Sequence, residues 1–483
     1  MNEPRLLGLL LALATAGCSQ GQAPTGLAAR PAPQNSAKAL ASVLIEGVPH
    51  VQQKPDFCGE AATESWLSAL GVALDQDRVF ALSNMDPARG MGATTGELRV
   101  ALERLGFDVG PVWQTIPAAD DAAIAQAFSE LHADLQRRVP SIVCMHYDAS
   151  PRSTEHFRLV LGYDAATDEV IYHEPARSSG AYQRLPRREF LALWPLKYQP
   201  SRWSLIRFRL AGTPHAPPSS DPEVKPADYA QHVLALRPRV PPGFRVFVAE
   251  PFVVLGDDSE ARVRANAEQV VGWAVERLER DFFPRAPSRI LDIWLFKDEQ
   301  SYERNTRALF GKPPSTPFGY YSSEDGALVM NIATGGGTLV HEIVHPFIEA
   351  NFPNSPAWFN EGLGSLFEQS ADRGGHIVGL TNWRLAGLQR AIRRKQLPSF
   401  QALMATTSQQ FYGKDSGDNY AQARYLLYYL QEKGLLGAYY REFTAHQAQD
   451  PTGFQSLLRV LAEDDPSGFQ KRWQAFVLGL RFP

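Results

Sequence analysis

The stretch GTLVHEIVHPFIEANFPNSPAWFNEGLGSLFE, residues 337–368, decides how the second half of the chain is interpreted. His341 and His345 are four residues apart, so on a helix both imidazoles project from one face. Glu361 lies in the next helical pattern, and two histidines with one glutamate are a known ligand set for catalytic zinc. Glu342, beside the histidines, is placed to act as a general base. The stretch therefore predicts two packed helices that hold one Zn²⁺ ion.

The sequence also predicts where the first of these helices begins and where it bends. The glycines at 335–337 end the preceding strand, and Thr338 is the expected helix cap. Pro346 follows a predicted ligand, lacks the N–H for a helical hydrogen bond and disfavours helical geometry at His345, so a kink is expected there. Two alternatives stay open: histidines that face water on an ordinary helix pair, and zinc binding without turnover.

Residues 243–483 around this stretch predict an α+β domain, a small β-sheet followed by a helical bundle. FRVFVAEPFVVLGDD (244–258) predicts two short strands, and Ser259 is expected to cap a long helix. RILDIWLFKD (289–298) predicts another strand, and a hairpin is expected with its turn at 324–326. From Gly335 the pattern is helical to the end.

HEIVH combined with NEGL resembles the gluzincin metallopeptidases, especially the aminopeptidase type, over about residues 243–450. NYAQARYLLYYL (419–430) is similar to that family's Tyr-x-x-Gly/Ala helix. The interval between the histidines and the glutamate is shorter than in the aminopeptidases, and their Gly-Ala-Met-Glu-Asn strand has no copy here, so endopeptidase and aminopeptidase both remain open. The resemblance implies these roles: zinc ligands His341, His345 and Glu361, general base Glu342, and oxyanion stabiliser Tyr420. A tyrosine with no catalytic part on an amphipathic helix is the alternative for Tyr420.

The first half contains GVPHVQQKPDFCGEAA, residues 47–62, followed by a helical pattern. Cys58 would open that helix, where backbone N–H groups and the helix dipole favour a thiolate. A nucleophilic cysteine needs a base and a group that orients the base. His156 opens one predicted strand and Glu174 ends the next, so adjacent strands are expected to bring them together.

This arrangement resembles papain-like cysteine peptidases of the bacteriocin-leader-processing type, over residues 46–211. The resemblance implies Cys58 as nucleophile and His156 as base. It also implies Gln52 as the oxyanion donor, since Gln52 fits the family spacing better than Gln53. Glu174 stands where the family has aspartate before proline. An inactive domain that only binds peptides, and acyl transfer by the same residues, stay open.

The amino terminus, MNEPRLLGLLLALATAGCSQ, predicts a signal peptide at residues 1–18. ATAGC resembles a bacterial lipobox, which implies lipidation of Cys18; cleavage nearby with an unmodified cysteine is the alternative. Residues 19–45 are expected to be a flexible tether. The expected location is the cell envelope, with the protein lipid-anchored to a bacterial membrane and facing the periplasm or the surface.

Three other features complete the expectations. The proline-rich segment 212–242 predicts a semi-rigid linker between the two domains. The net charge of −4 without a basic block argues against a nucleic-acid partner and leaves a peptide or protein substrate. Cys58 and Cys144 could pair in an oxidising compartment, or Cys144 could be a small core residue beside a free Cys58. The sequence does not indicate an oligomeric state.

Overall fold

The computed structural model describes residues 40–217, 225–414 and 416–482. Residues 42–483 form one compact unit. The predicted signal peptide, Cys18 and most of the predicted tether lie outside the described residues. Among the described helices, none combines the length and the apolar character that crossing a bilayer requires.

The first half consists of a sheet with helices packed against it. Its helices are α1 Cys58–Ala69, α2 Gln76–Ser83, α3 Thr95–Arg104, α4 Asp121–Gln136 and α5 Arg187–Leu193, with a short 3-10 helix at Pro87–Arg89. Its strands are β1 Val43–Leu44, β2 Phe107–Asp108, β3 Trp113–Pro117, β4 Ser141–His146, β5 Glu155–Asp164, β6 Glu169–His173, β7 Gln183–Pro186, β8 Leu196–Gln199, β9 Arg202–Arg209 and β10 Ala211–Gly212.

The main sheet of this half is antiparallel and runs in the order β3-β9-β4-β5-β6-β7, with β1 on β5 and β8 on β9. Strands β4 and β5 are buried along almost their whole length, as expected for central strands covered on both faces. Helix α1 packs against β5. The sheet thus brings the start of α1 against the start of β5.

The second half begins at α6 and contains a second sheet followed by helices. Its strands are β11 Arg245–Ala249, β12 Phe252–Gly256, β13 Leu291–Phe296, β14 Gly319–Ser322, β15 Ala327–Asn331, β16 Ser370–Arg373 and β17 His376–Gly379. Its helices are α6 Pro226–Leu236, α7 Glu260–Asn266, α8 Trp273–Asp281, α9 Glu299–Phe310, α10 Gly336–Asn351, α11 Ala357–Phe367, α12 Arg384–Arg393, α13 Phe400–Met404, α14 Ser408–Phe411, α15 Ser416–Glu432, α16 Leu436–His446, α17 Phe454–Leu461 and α18 Pro466–Gly479. A π-helical segment, Ala267–Gly272, joins α7 to α8, and a 3-10 turn spans Ile332–Thr334.

The second sheet is mixed and has the order β11-β12-β13-β15-β14. Strands β12, β13 and β15 are parallel, and the outer strands β11 and β14 are antiparallel to their neighbours. One face packs on the helical bundle through residues such as Phe252 and Ile293, and the other packs on α6 and α9 through residues such as Trp294. The predicted two strands, the third strand and the hairpin at 324–326 are all present.

Two details of the second half differ from the sequence expectations. The chain is not helical throughout after Gly335, because β16 and β17 form an antiparallel hairpin between α11 and α12. Helix α10 begins at Gly336 with Gly335 as its cap, so Thr338 lies inside the first turn. Gly335 has a φ of +106°, which glycine adopts without a Cβ penalty.

The segment 212–242, expected to be a linker, contains helix α6, which packs on both halves. Ala227 and Ala230 join a small cluster with Phe57 and Phe80 of the first half. The opposite side of α6 packs on the second sheet through Tyr229, Val233 and Leu236. The two halves therefore share a buried helix, and residues 218–224 between β10 and α6 lie outside the described part of the chain.

Candidate active sites

Cys58 is the first residue of α1 and lies against the start of β5. Its side chain is partly exposed, and its sulfur lies within hydrogen-bonding reach of the backbone N–H of Phe157. The next residue is Gly59, where an added Cβ would lie 2.7 Å from Leu98 and 3.1 Å from the Phe157 ring. This close approach explains why glycine follows the cysteine. It brings Cys58 to the part of β5 that carries His156.

The electrostatic environment of Cys58 opposes a free thiolate. Burial raises the pKa of the thiol to about 12, and the charges of Glu60 and Asp56 add to this, while the N–H groups of Phe157 and Gly59 act in the other direction. The backbone N–H groups at the helix start thus favour the thiolate, as the sequence suggested, but burial outweighs them. A thiolate at this position requires a proton acceptor beside it.

His156 and Glu174 are brought together by neighbouring strands, β5 and the end of β6. His156 Nε2 lies 2.5 Å from Glu174 Oε1, and both side chains are buried. Burial would raise the pKa of Glu174, but hydrogen bonds and charges from His156 and Arg158 outweigh it and lower the pKa to about 2. An ionised carboxylate only accepts hydrogen bonds, so His156 Nε2 carries a hydrogen and Nδ1 stays available as the basic nitrogen.

The two glutamines upstream of Cys58 have different surroundings. Gln52 is exposed, and its backbone carbonyl accepts a hydrogen bond from the side chain of Gln76 at 3.3 Å. Gln53 bonds through its backbone N–H to the Pro175 carbonyl at 2.9 Å, and its buried side-chain oxygen has no partner within the described residues. The loop that holds the glutamines is thus tied to the residue after Glu174.

Cys144, the remaining described cysteine besides Cys58, lies inside β4 and is buried. Both cysteines are free. The alternative of a disulfide between them is therefore not found, and Cys144 is a core residue at 2% exposure.

A second cluster lies where α10 and α11 face each other. One side-chain atom each from His341, His345 and Glu361 lies within 4.8 Å of the others. Glu361 Oε2 is 3.2 Å from His341 Nε2 and 4.0 Å from His345 Nε2. Two imidazole nitrogens and a carboxylate oxygen converging on one point are the donor set of a zinc site, so the residues present fit Zn²⁺.

Helix packing and neighbouring polar groups hold these three side chains in place. Gly364 on α11 lets the helices approach, since an added Cβ would lie 3.1 Å from His341 Nε2. His345 Nδ1 lies 2.8 Å from Asn360 Oδ1, which leaves Nε2 facing the cluster. Helix α10 continues through Pro346 to Asn351, so the proline does not end it.

The cluster has an electrostatic preference for positive charge. Burial disfavours the imidazolium of His341, but the hydrogen bond to Glu361 and the charges of Glu342 and Glu361 raise its pKa to about 9. At Glu361, hydrogen bonds from His341 and Tyr412 and the charges of His341 and His345 outweigh burial and lower the pKa to about 2. The carboxylates of Glu342 and Glu361 are thus placed where they favour a positive charge within the cluster.

Glu342 lies beside the cluster and borders the same cleft of about 480 Å³. Its Oε2 accepts a hydrogen bond from the Tyr321 backbone N–H at 3.0 Å and lies 3.7 Å from His345 Nε2. Tyr321 is on β14, one of the two edge strands of the sheet. The carboxylate is thus held by the strand that borders the cleft.

Two tyrosines approach Glu361. Tyr420, on α15, borders the cleft, and burial together with the charge of Glu361 raises the pKa of its hydroxyl. Tyr412, which follows α14, donates from its hydroxyl to Glu361 Oε1 at 2.6 Å while half of its surface remains exposed. The structure therefore adds Tyr412 to the tyrosine that the sequence singled out.

Several groups that contact the candidate residues were not expected from the sequence, among them Arg158, Asn360 and Tyr412. Asn360 had a local signal, since it directly precedes Glu361 on the same helix. Arg158 had a weaker one, because it follows His156 by two residues and so shares its face of the strand. Tyr412 had none, because its contact with Glu361 spans 51 residues.

The half of the chain that contains the first site is similar to a known family of peptidase-like domains. The model of the Peptidase_C39 like family matches residues 45–201. This range contains Cys58, His156 and Glu174. Peptide-bond hydrolysis by a cysteine peptidase is the activity that the match supports for this domain.

Among solved structures, the chain is similar to the crystal structure of the peptidase domain of Streptococcus ComA, described as a bi-functional ABC transporter involved in a quorum sensing pathway. The two are 19% identical, the alignment covers 33% of this chain and 98% of that one, and the TM-score is 0.22. No curated protein matches this chain.

Proposed function

We propose that the protein hydrolyses peptide bonds at two centres, a cysteine site around Cys58 and a zinc site around His341. The observation that carries the second centre is the convergence of three ligand atoms within 4.8 Å, with Glu342 at the same cleft. A zinc ion with a purely structural part needs no general base beside it, and Glu342 therefore favours catalysis.

In the cysteine domain, His156 Nδ1 takes the proton from the Cys58 thiol as the sulfur attacks a peptide carbonyl carbon. The imidazolium then gives this proton to the leaving amine, and a thioester to Cys58 remains. Water, losing a proton to His156, attacks the thioester, releases the acid product and restores the thiol. Glu174 orients the imidazole throughout, and Gln52 or Gln53 donates to the oxyanion.

In the second domain, His341, His345 and Glu361 would hold Zn²⁺. The ion supplies Lewis acidity towards a carbonyl oxygen and towards water. Glu342 accepts the proton of the attacking water and returns it to the leaving amine. The Tyr420 hydroxyl, at the edge of the cleft, donates to the oxygen of the tetrahedral intermediate.

One experiment separates the two centres. A mixture of free and N-acetylated peptides is incubated with the chain lacking residues 1–18, with Cys58→Ser, with Glu342→Gln and with the double variant, and the products are read by mass spectrometry. We expect each single variant to lose a different set of cleavages and the double variant to lose all of them. Cleavage that persists in the double variant would refute both sites. Cutting of acetylated peptides indicates an endopeptidase, whereas restriction to free amino termini indicates an aminopeptidase.

A second function is favoured for the cysteine domain by the surroundings of Cys58, where burial raises the pKa of the thiol. A domain whose thiol stays protonated would bind peptides without cutting them. Alkylation by iodoacetamide distinguishes the two, because a thiolate paired with the His156 imidazolium reacts well below pH 8. Reaction confined to strongly alkaline pH would support the binding function.

We also propose that the protein is exported and anchored to a bacterial membrane through a lipid on Cys18. The support is the sequence of residues 1–18, a charged residue, an apolar run and small residues before the cysteine. Growth with a labelled fatty acid should label the full chain and leave Cys18→Ala unlabelled. An unlabelled parent chain would refute the anchor.

A further inference from the structure

Arg158 lies beside His156 and Glu174 in the cysteine site, although the proposed mechanism gives it no role. It is on β5, two residues after His156 and on the same face of the strand. Its side chain is 5% exposed, in the interior of the domain. A buried arginine is costly unless each part of its guanidinium is satisfied.

The guanidinium of Arg158 is paired on all sides. Nε donates to Glu174 Oε2 at 2.7 Å, Nη2 to the Tyr147 carbonyl at 2.8 Å and Nη1 to the His146 carbonyl at 3.3 Å. The rings of Tyr147 and Tyr172 lie 5.3 Å and 5.2 Å from its central carbon. The arginine therefore links the Glu174 carboxylate to the backbone at the end of β4.

The two oxygens of Glu174 face two different side chains. Oε1 faces His156 Nε2 and also accepts from the Ala176 N–H at 3.1 Å, and Oε2 faces Arg158. A glutamate has one more rotatable bond than an aspartate, so fixing its carboxylate costs more side-chain entropy. A second charged hydrogen bond, on the oxygen that does not meet the imidazole, offsets this cost.

We propose that Arg158 is a positioning residue of the cysteine site, holding the Glu174 carboxylate against His156 Nε2 so that Nδ1 is directed towards Cys58. The inference deepens the proposed cysteine peptidase function and rests on it. The planar fork of arginine matters, because a lysine ammonium cannot meet a carboxylate and two carbonyls in this fixed geometry.

The test reads the histidine contact directly. The chain lacking residues 1–18 is labelled with ¹⁵N-histidine and studied by NMR. The Nε2–H proton of His156 should appear at low field and exchange slowly with water. Its signal is assigned by its absence in His156→Gln. Arg158→Met should remove this signal and slow the alkylation of Cys58 by about tenfold, the factor that corresponds to about 1.4 kcal/mol. Arg177→Met is the matched control, since Arg177 is an exposed arginine whose charge also acts near Glu174.

Four outcomes are informative. A low-field signal that persists in a folded Arg158→Met would overturn the inference, and so would loss of the signal in Arg177→Met. If Arg158→Met does not fold, Arg158→Lys is the deciding variant, because it keeps the positive charge without the planar guanidinium. We expect Arg158→Lys to lose the NMR signal. Retention of the signal would refute the positioning role. The NMR signal does not depend on turnover. A parent protein that shows the signal but has an unreactive Cys58 would therefore refute the proposed peptidase function, and the Arg158 variants would still test the positioning role.

Discussion

Glu60 offers the clearest link between pH and stability in this protein. It lies in the first turn of α1 and is fully buried. Its Oε1 accepts from the Ala93 N–H at 2.6 Å, and its Oε2 has no partner among the described residues. Burial raises the pKa of this carboxyl from 4.5 to about 8, against the hydrogen bond from Ala93. The variant Glu60→Gln keeps an acceptor for Ala93 and cannot ionise.

The expected effect has a definite sign. A carboxyl with a folded-state pKa above its unfolded value binds a proton more tightly when folded, so its contribution to stability is fully present below pH 4.5 and is lost as the pH rises towards 8. At about 1.36 kcal/mol per pKa unit, the loss is on the order of 5 kcal/mol. Glu60→Gln should therefore gain stability relative to the parent as the pH rises over this range, and level off above it.

The assay is urea unfolding of the chain lacking residues 1–18, at four pH values from 4.5 to 8.5, for the parent and Glu60→Gln. Glu130→Gln, an exposed position on α4, is the control and should change little. A difference between Glu60→Gln and the parent that is the same at all four pH values would refute the reasoning. Since the charge of Glu60 also raises the pKa of Cys58, the variant should shift alkylation of Cys58 to lower pH.

Three other predictions concern the remaining contacts. Tyr412→Phe removes the hydroxyl bonded to Glu361 Oε1 and should weaken zinc binding by about tenfold or more in a chelator competition, with a smaller effect from Tyr420→Phe; equal effects would contradict this. Glu174, with its pKa lowered to about 2, stabilises the fold above pH 4.5 and loses this contribution as the pH falls, so Glu174→Gln should show a smaller loss of unfolding free energy than the parent between pH 5 and 3. Phe57→Ala at the cluster shared with α6 should cost about 3 to 5 kcal/mol in urea unfolding, and a cost below 1 kcal/mol would indicate that the two halves are not joined there.

The sequence predicted best those elements whose hydrophobic pattern is strong and continuous. Strands β4, β12 and β13 are buried runs bounded by turns, and α10 and α11 have apolar residues at helical spacing. The hairpin of β16 and β17 was missed because SADRGGHIVG has few apolar residues and only four residues in each strand.

Helix α6 shows why composition alone suggested a linker at residues 212–242. Proline and serine around it suggested a linker, although a proline at the first helical position is typical of a helix start. Its partners, Phe57 and Trp294, are far away in sequence, so packing rather than local pattern stabilises the helix.

The candidate sites divide in the same way. The spacing of His341 and His345 follows a helical repeat, and Glu361 comes from the next helix. The pairing of His156 with Glu174, also expected from the sequence, depends instead on two neighbouring strands in the correct register. The raised pKa of the Cys58 thiol could not be anticipated, because it depends first on burial, which long-range packing sets, and only then on the charges of Glu60 and Asp56.

The most direct test of the two-centre account is the metal content of the chain lacking residues 1–18, measured for the parent, Glu361→Ala and Glu342→Gln after dialysis against buffered zinc. The account predicts about one zinc ion per chain in the parent, as expected for a single three-ligand site. It further predicts that Glu361→Ala loses the ion and that Glu342→Gln keeps it while losing hydrolysis at this centre. A folded parent that takes up no zinc would contradict the account and leave the cysteine domain as the remaining centre.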